Sequence, residues 1–167
     1  MRQSADQIKR LSLELGGNAP FIVFDDADLE QAVAGVMQSK FRNAGQTCVC
    51  ANRILVQEGI YERFAQRLVE EVGKLKIGNG LEEGVTIGPL INAAAVSKVA
   101  RHIDDALSKG GRLLCGGIPA CDSQFVQPTV LGEAHAGMLL ANEETFGPVA
   151  PLMRFTDEAE ALALANA

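Results

Sequence analysis

A cysteine closing a glycine-containing turn and a carboxylate set between leucines are the two groups in this 167-residue sequence best suited to chemistry on a carbonyl. The turn reads Phe41-Arg42-Asn43-Ala44-Gly45-Gln46-Thr47-Cys48-Val49-Cys50, where a Gly and small polar residues follow an amphipathic segment. A chain that bends so sharply can offer a side chain to a cleft, and Cys48 is the candidate nucleophile. A thiolate that attacks a carbonyl becomes a covalent intermediate that a second group must help to resolve. Leu13-Glu14-Leu15-Gly16-Gly17 supplies such a group, with Glu14 as candidate base in an apolar surrounding suited to activating water. Both residues have plainer readings. A single free Cys is more often core filling than catalyst, and a Glu between leucines can be the outward position of an alternating strand.

The elements that would position these groups follow from periodicity. Ile8, Leu11, Leu13 and Leu15 predict a strand over 8–15, with Gly16-Gly17 as a bend before a buried-type strand at Pro20-Phe21-Ile22-Val23-Phe24. Asp28 caps a predicted helix whose stripe of Leu29, Ala32, Val33, Val36 and Met37 runs to about Lys40 and delivers the Cys48 turn. Arg53-Ile54-Leu55-Val56 is a further strand. Helices follow from Ile60 to Leu75, with a solvated charged face, and from Ala93 to Lys109, ended by Gly110-Gly111. Strands are expected at Arg112–Cys115, Pro128–Leu131 and Val149–Phe155, the last interrupted by Pro151. Met138-Leu139-Leu140 forms an apolar piece, and Asp157 starts a final helix. The alternation of strand and helix predicts a layered α/β sheet. Gly78-Asn79-Gly80-Leu81-Glu82-Glu83-Gly84 misses the G-x-G-x-x-G spacing and reads as a surface loop.

Composition narrows the function classes. A net charge of -6 without a basic run argues against nucleic acid and anionic membrane as partners. No apolar run is long enough to span a bilayer, and the first residues lack the apolar centre of a signal peptide, so a reducing, intracellular setting is expected. The cysteines at 48, 50, 115 and 121 lack zinc-site spacing, and His102 and His135 lie far from them, so no metal is expected. Cys115 and Cys121 read as incidental thiols at a strand end and in a loop.

Glu14-Leu15-Gly16-Gly17, Gly45-Gln46-Thr47-Cys48 and Glu143-Glu144-Thr145-Phe146-Gly147-Pro148 stand in an order and at spacings that resemble the aldehyde dehydrogenase superfamily. Lys40-Phe41-Arg42-Asn43 and Thr47-Cys48-Val49-Cys50 are similar to its succinate-semialdehyde dehydrogenase branch. The resemblance covers essentially the whole chain. It implies a layered α/β/α catalytic domain truncated at both ends, spanning 1–167. Residues 1–17 would end a cofactor-domain strand, and the nucleotide-binding domain and C-terminal remainder would lie outside the chain.

The resemblance also implies roles. Cys48 would attack the aldehyde to give a thiohemiacetal and then a thioester, with its own backbone N–H as one oxyanion donor; Glu14 would activate the hydrolytic water. Glu144 would hold the nicotinamide-side ribose hydroxyls, with Phe146 lining the same region, while Glu143 receives no role. Arg42 would fork onto the substrate's distal carboxylate, a reading level with that of a surface arginine near a helix end. Cys50 is a possible redox partner for Cys48, because Cα atoms two residues apart stand about 5.5–7 Å from each other, within disulfide range. NAD or NADP would serve the full-length enzyme, a cytoplasmic homo-oligomer oxidising succinate semialdehyde. Neither cofactor is expected to bind this chain tightly, because one hydrogen-bonded carboxylate contributes about 1.5–3 kcal/mol and micromolar binding needs roughly 8 kcal/mol. Two alternatives remain at this point: a stand-alone α/β module that binds a partner through its sheet edge, and a thiol redox module built on Cys48-Val49-Cys50.

Overall fold

The computed structural model describes residues 2–120 and 122–167, so Cys121 lies outside the described residues. Among the described residues five strands form one sheet: β1 (Ala19–Val23), β2 (Ala51–Gln57), β3 (Arg112–Cys115), β4 (Thr129–Ala134) and β5 (Val149–Phe155), in the spatial order β1-β2-β5-β4-β3. The first four in that order run parallel, and β3 closes the far edge antiparallel to β4. Every residue of β2 but the last is buried, as expected of a parallel strand covered on both faces. The edge strand β1 buries only Val23, so its apolar run overstated its burial.

The helices are α1 (Leu29–Lys40), α2 (Tyr61–Val72), α3 (Ala93–Ser108), the single turn α4 (Leu139–Asn142) and α5 (Glu158–Ala165). Asp28 caps α1 by accepting from the Gln31 N–H at 3.0 Å, and Asp157 caps α5 by accepting from the Glu160 N–H at 2.9 Å. The far end of α5 is capped from the sheet, where the buried Arg53 guanidinium donates to the carbonyls of Leu164 and Ala165 at 2.9 and 3.0 Å. No helix among the described residues is long and apolar enough to cross a membrane.

Two expectations are corrected, and a third is made more definite. Residues 8–15 form no strand; Ile8, Leu11, Leu13 and Leu15 are all exposed, because alternation states a face preference but supplies no ladder partner. Pro151 does not interrupt β5. Pairing with β2 begins only at Leu152, and the β4 register slips between Leu131 and Ala134, so the ladder accommodates the missing donor. Finally, the apolar piece at 138–140 runs into the short helix α4.

Candidate active site

Between α1 and β2 the chain makes a 3-10 turn over Arg42–Gly45 in which Asn43, Ala44 and Gly45 take φ of 51°, 54° and 72°. Glycine adopts this left-handed region freely and asparagine tolerates it, but alanine there costs roughly 1–2 kcal/mol. Side chains hold the turn in place. Asn43 Nδ2 donates to the Gln46 carbonyl at 3.0 Å, while Gln46 Nε2 donates to the carbonyls of Asn43 and Pro89 at 3.2 and 3.3 Å. Gln46 Oε1 accepts from the Ile91 N–H at 3.0 Å, which ties the turn to the segment ahead of α3. A Cβ on Gly45 would stand 2.2 Å from the Gly147 carbonyl oxygen, so the turn lies directly on the 143–148 segment.

The third segment arrives by an equally close approach. A Cβ on Gly17 would stand 2.3 Å from the Cys48 carbonyl oxygen, and the Gly17 N–H donates to Glu144 Oε1 at 3.1 Å. The structure therefore brings Glu14, Arg42, Cys48, Glu144 and Phe146 together around one cleft of about 500 Å³. Cys48, Arg42 and Glu14 are exposed in it, and Glu144 is half-buried. The apolar surrounding expected at Glu14 is missing, since Leu13 and Leu15 are 57% and 72% exposed; the carboxylate meets solvent.

Cys50 faces the other way. Its thiol is 1% exposed and lies 3.7 Å from the carbonyls of Lys40 and Ala51, unbonded to the exposed Cys48. A redox pairing of the two would require the loop to rearrange. Cys115 is half-buried at the end of β3, and burial pushes its thiol above the usual range.

Several residues that support the site escaped the sequence reading. Lys40 is fully buried and donates from Nζ to Asn52 Oδ1 at 2.8 Å, and Asn52 Nδ2 donates in turn to the Gly17 carbonyl at 3.1 Å. Burial, the largest influence, holds the Lys40 ammonium below its ordinary range against the opposing pull of Cys50 and Glu144. Its place was readable: Lys40 continues the buried stripe of Val33 and Val36 at helical spacing. Glu143 also has partners, namely Arg101 at 2.9 Å and the fully buried His102 at 3.3 Å. The His102 N–H and then Arg101 hold the Glu143 carboxyl below the usual carboxylate range.

At Glu144 the cleft presents a carboxylate with one oxygen engaged and one open. One oxygen of Glu144 takes the Gly17 N–H, and a Cβ on Gly16 would reach within 2.8 Å of the other, so the missing side chain leaves that oxygen approachable. An ionised carboxylate so placed can accept from sugar hydroxyls, and Phe146, 36% exposed, offers apolar surface beside it.

Known proteins of related sequence and structure match the chain along nearly its whole length. The model of the aldehyde dehydrogenase family matches residues 1–167. The chain is 61% identical to a succinate-semialdehyde dehydrogenase [NADP(+)] of Escherichia coli (strain K12), over 99% of this chain and 35% of that protein. It is 62% identical to a 3-sulfolactaldehyde dehydrogenase of Pseudomonas putida, over 99% of this chain and 34% of that protein. Among solved structures, an aldehyde dehydrogenase from Brucella melitensis biovar abortus 2308 matches with a TM-score of 0.95 at 58% identity, over 99% of this chain and 34% of that one. The chain thus spans about a third of the length of the curated relatives it matches.

Proposed function

This chain belongs to the aldehyde dehydrogenase family, and from that premise we propose that the protein carrying it oxidises an aldehyde bearing a distal anion, with succinate semialdehyde as the leading candidate. The observation that carries this reading is the presence of Cys48 and Arg42 in one cleft, a nucleophile and a guanidinium both exposed to it. The names of the relatives point the same way, because succinate semialdehyde and 3-sulfolactaldehyde both carry an anionic group away from the aldehyde. Nothing in the comparisons favours a partner-binding module or a thiol redox module.

In the proposed reaction the Cys48 thiolate forms a bond to the aldehyde carbon, and the carbonyl π electrons move onto oxygen, where the Cys48 backbone N–H can meet the charge. NAD or NADP, when bound, supplies the acceptor for the hydride that leaves this carbon. Glu144 would hold its nicotinamide-side ribose through the sugar hydroxyls, with Phe146 beside it. The carbon is then a thioester on Cys48. Glu14, open to solvent in the same cleft, takes a proton from water as that water attacks; the carbon–sulfur bond breaks and the acid leaves. Arg42 binds the distal anion through two parallel charge-assisted hydrogen bonds.

The substrate claim is tested by Arg42→Leu in the full-length enzyme, assayed with succinate semialdehyde and with an uncharged aldehyde of equal length. The charged substrate should lose about 1.5–3 kcal/mol more in kcat/KM than the neutral one. Equal losses would make Arg42 a structural residue and remove the anion from the proposal.

A further inference from the structure

His102 lies on α3 with no exposed surface, and it contacts two residues of the 143–148 segment at once. Nε2 is 3.3 Å from Glu143 Oε2, and Nδ1 is 3.1 Å from Thr145 Oγ1. A carboxylate only accepts, so the ring proton sits on Nε2 and Nδ1 accepts from the Thr145 hydroxyl. Burial, the largest influence on this ring, favours the neutral form that such an arrangement needs.

The consequence is geometric. With Glu143 in an extended conformation, φ -121° and ψ 134°, side chains alternate from there. Residues 143 and 145 turn toward α3 and His102, while Glu144 and Phe146 line the cleft that holds Cys48. Phe146 completes the segment with φ 52°, a conformation that persists only where its surroundings over-determine it. The next residue leaves no slack, since a Cβ on Gly147 would stand 2.5 Å from Val99 Cγ2 of α3.

We infer that His102 is a positioning residue: by clasping Glu143 and Thr145 against α3, it presents Glu144 and Phe146 to the nicotinamide-side ribose. The inference rests on the cofactor role given to those two residues above.

The test compares His102→Leu, His102→Gln and Glu144→Gln in the full-length enzyme, with KM measured separately for cofactor and aldehyde. His102→Leu should raise the cofactor KM about tenfold or more with the aldehyde KM changed less than about twofold, and His102→Gln, which keeps an N–H for Glu143, should recover most of the loss. A cofactor KM left unchanged by His102→Leu, or cofactor and aldehyde KM rising together, overturns the positioning role. Should Glu144→Gln also leave the cofactor KM unchanged, the cofactor reading itself falls; an effect of Glu144→Gln alone leaves that reading standing and removes only His102. If His102→Leu fails to fold, the nitrogen NMR spectrum of the wild-type imidazole decides. A neutral ring protonated on Nε2 is expected, and a neutral ring protonated on Nδ1 overturns the inference.

Discussion

At Glu133 the backbone takes φ 56°, and at Asn43, Ala44 and Phe146 it takes 51°, 54° and 52°, so among the described residues two regions hold non-glycine residues in the left-handed region. Their surroundings differ. The Glu133 N–H donates to the Tyr61 hydroxyl at 2.9 Å, and its carboxylate takes Arg154 Nε and a terminal nitrogen at 3.2 and 2.9 Å. Arg154 in turn lies 3.6 Å above the Tyr61 ring and is bridged to Glu62. Each charge there is answered by a neighbour. Around Asn43 and Phe146 the hydrogen bonds fix the backbone, while the groups with chemistry to offer, Cys48, Glu14 and Arg42, stand exposed to a shared cleft. Strain therefore marks both regions but singles out a reactive one only where it delivers exposed, unlike groups to the same space.

The largest expected effect breaks this comparison from the reactive side. Cys48→Ala should lower the turnover of the full-length enzyme a thousandfold or more, about 4 kcal/mol in activation free energy. Its folding stability should change by no more than about 0.5 kcal/mol, since an exposed thiol packs against little. Timed iodoacetamide labelling provides a second view. Cys48 should react before Cys115, whose thiol burial pushes up, and before Cys50, which is 1% exposed. Prior labelling of Cys115 would remove the assignment of Cys48 as nucleophile.

The middle effect lies on the closed side. Tyr61→Phe deletes the hydroxyl that accepts from the Glu133 N–H and donates to the Leu152 carbonyl at 3.3 Å, while the ring stays in place. Leaving a partly buried N–H without its partner should cost about 1–3 kcal/mol in urea unfolding, and Cys48 labelling should keep its rate. If the variant altered Cys48 labelling while its stability held, the two regions would not be the separate structures described above.

Only the reactive side of this contrast was legible in the sequence, and the illegible part has a common cause. Residue type and its local setting singled out Cys48 and Glu14, and the resemblance of the surrounding motifs added Arg42, Glu144 and Phe146, before their meeting place was known. The helices α1 and α3 were also legible, because the Asp28 cap and the apolar stripes are local signals. The leucines of 8–15 misled because alternation is local while pairing is not. Gln46 and His102 were missed for the same reason, since their partners Pro89 and Thr145 each lie 43 residues away; for Lys40 the buried place was readable from the stripe of α1 and only its partner Asn52, 12 residues on, was hidden. The turn itself was read, but its left-handed conformation at Ala44 gave no signal, since residues other than Gly, Asn and Asp seldom adopt it.

The smallest effect sharpens the comparison by measuring the strain itself. Ala44 is 2% exposed at φ 54°, and Ala106 is fully buried in the regular helix α3. Replacing either with Gly deletes a buried methyl, about 0.8 kcal/mol, and frees the unfolded chain, about 0.4–1 kcal/mol. Only at Ala44 does the change also release the roughly 1–2 kcal/mol that a side chain costs in the left-handed region. Ala106→Gly should therefore lose about 1.2–1.8 kcal/mol in urea unfolding, while Ala44→Gly should stay within about 0.8 kcal/mol of the parent. The difference between the two variants is the energy held in the turn that presents Cys48. If both lose the same amount, the turn stores none, and the contrast between a strained reactive region and a strained closed one loses its physical basis.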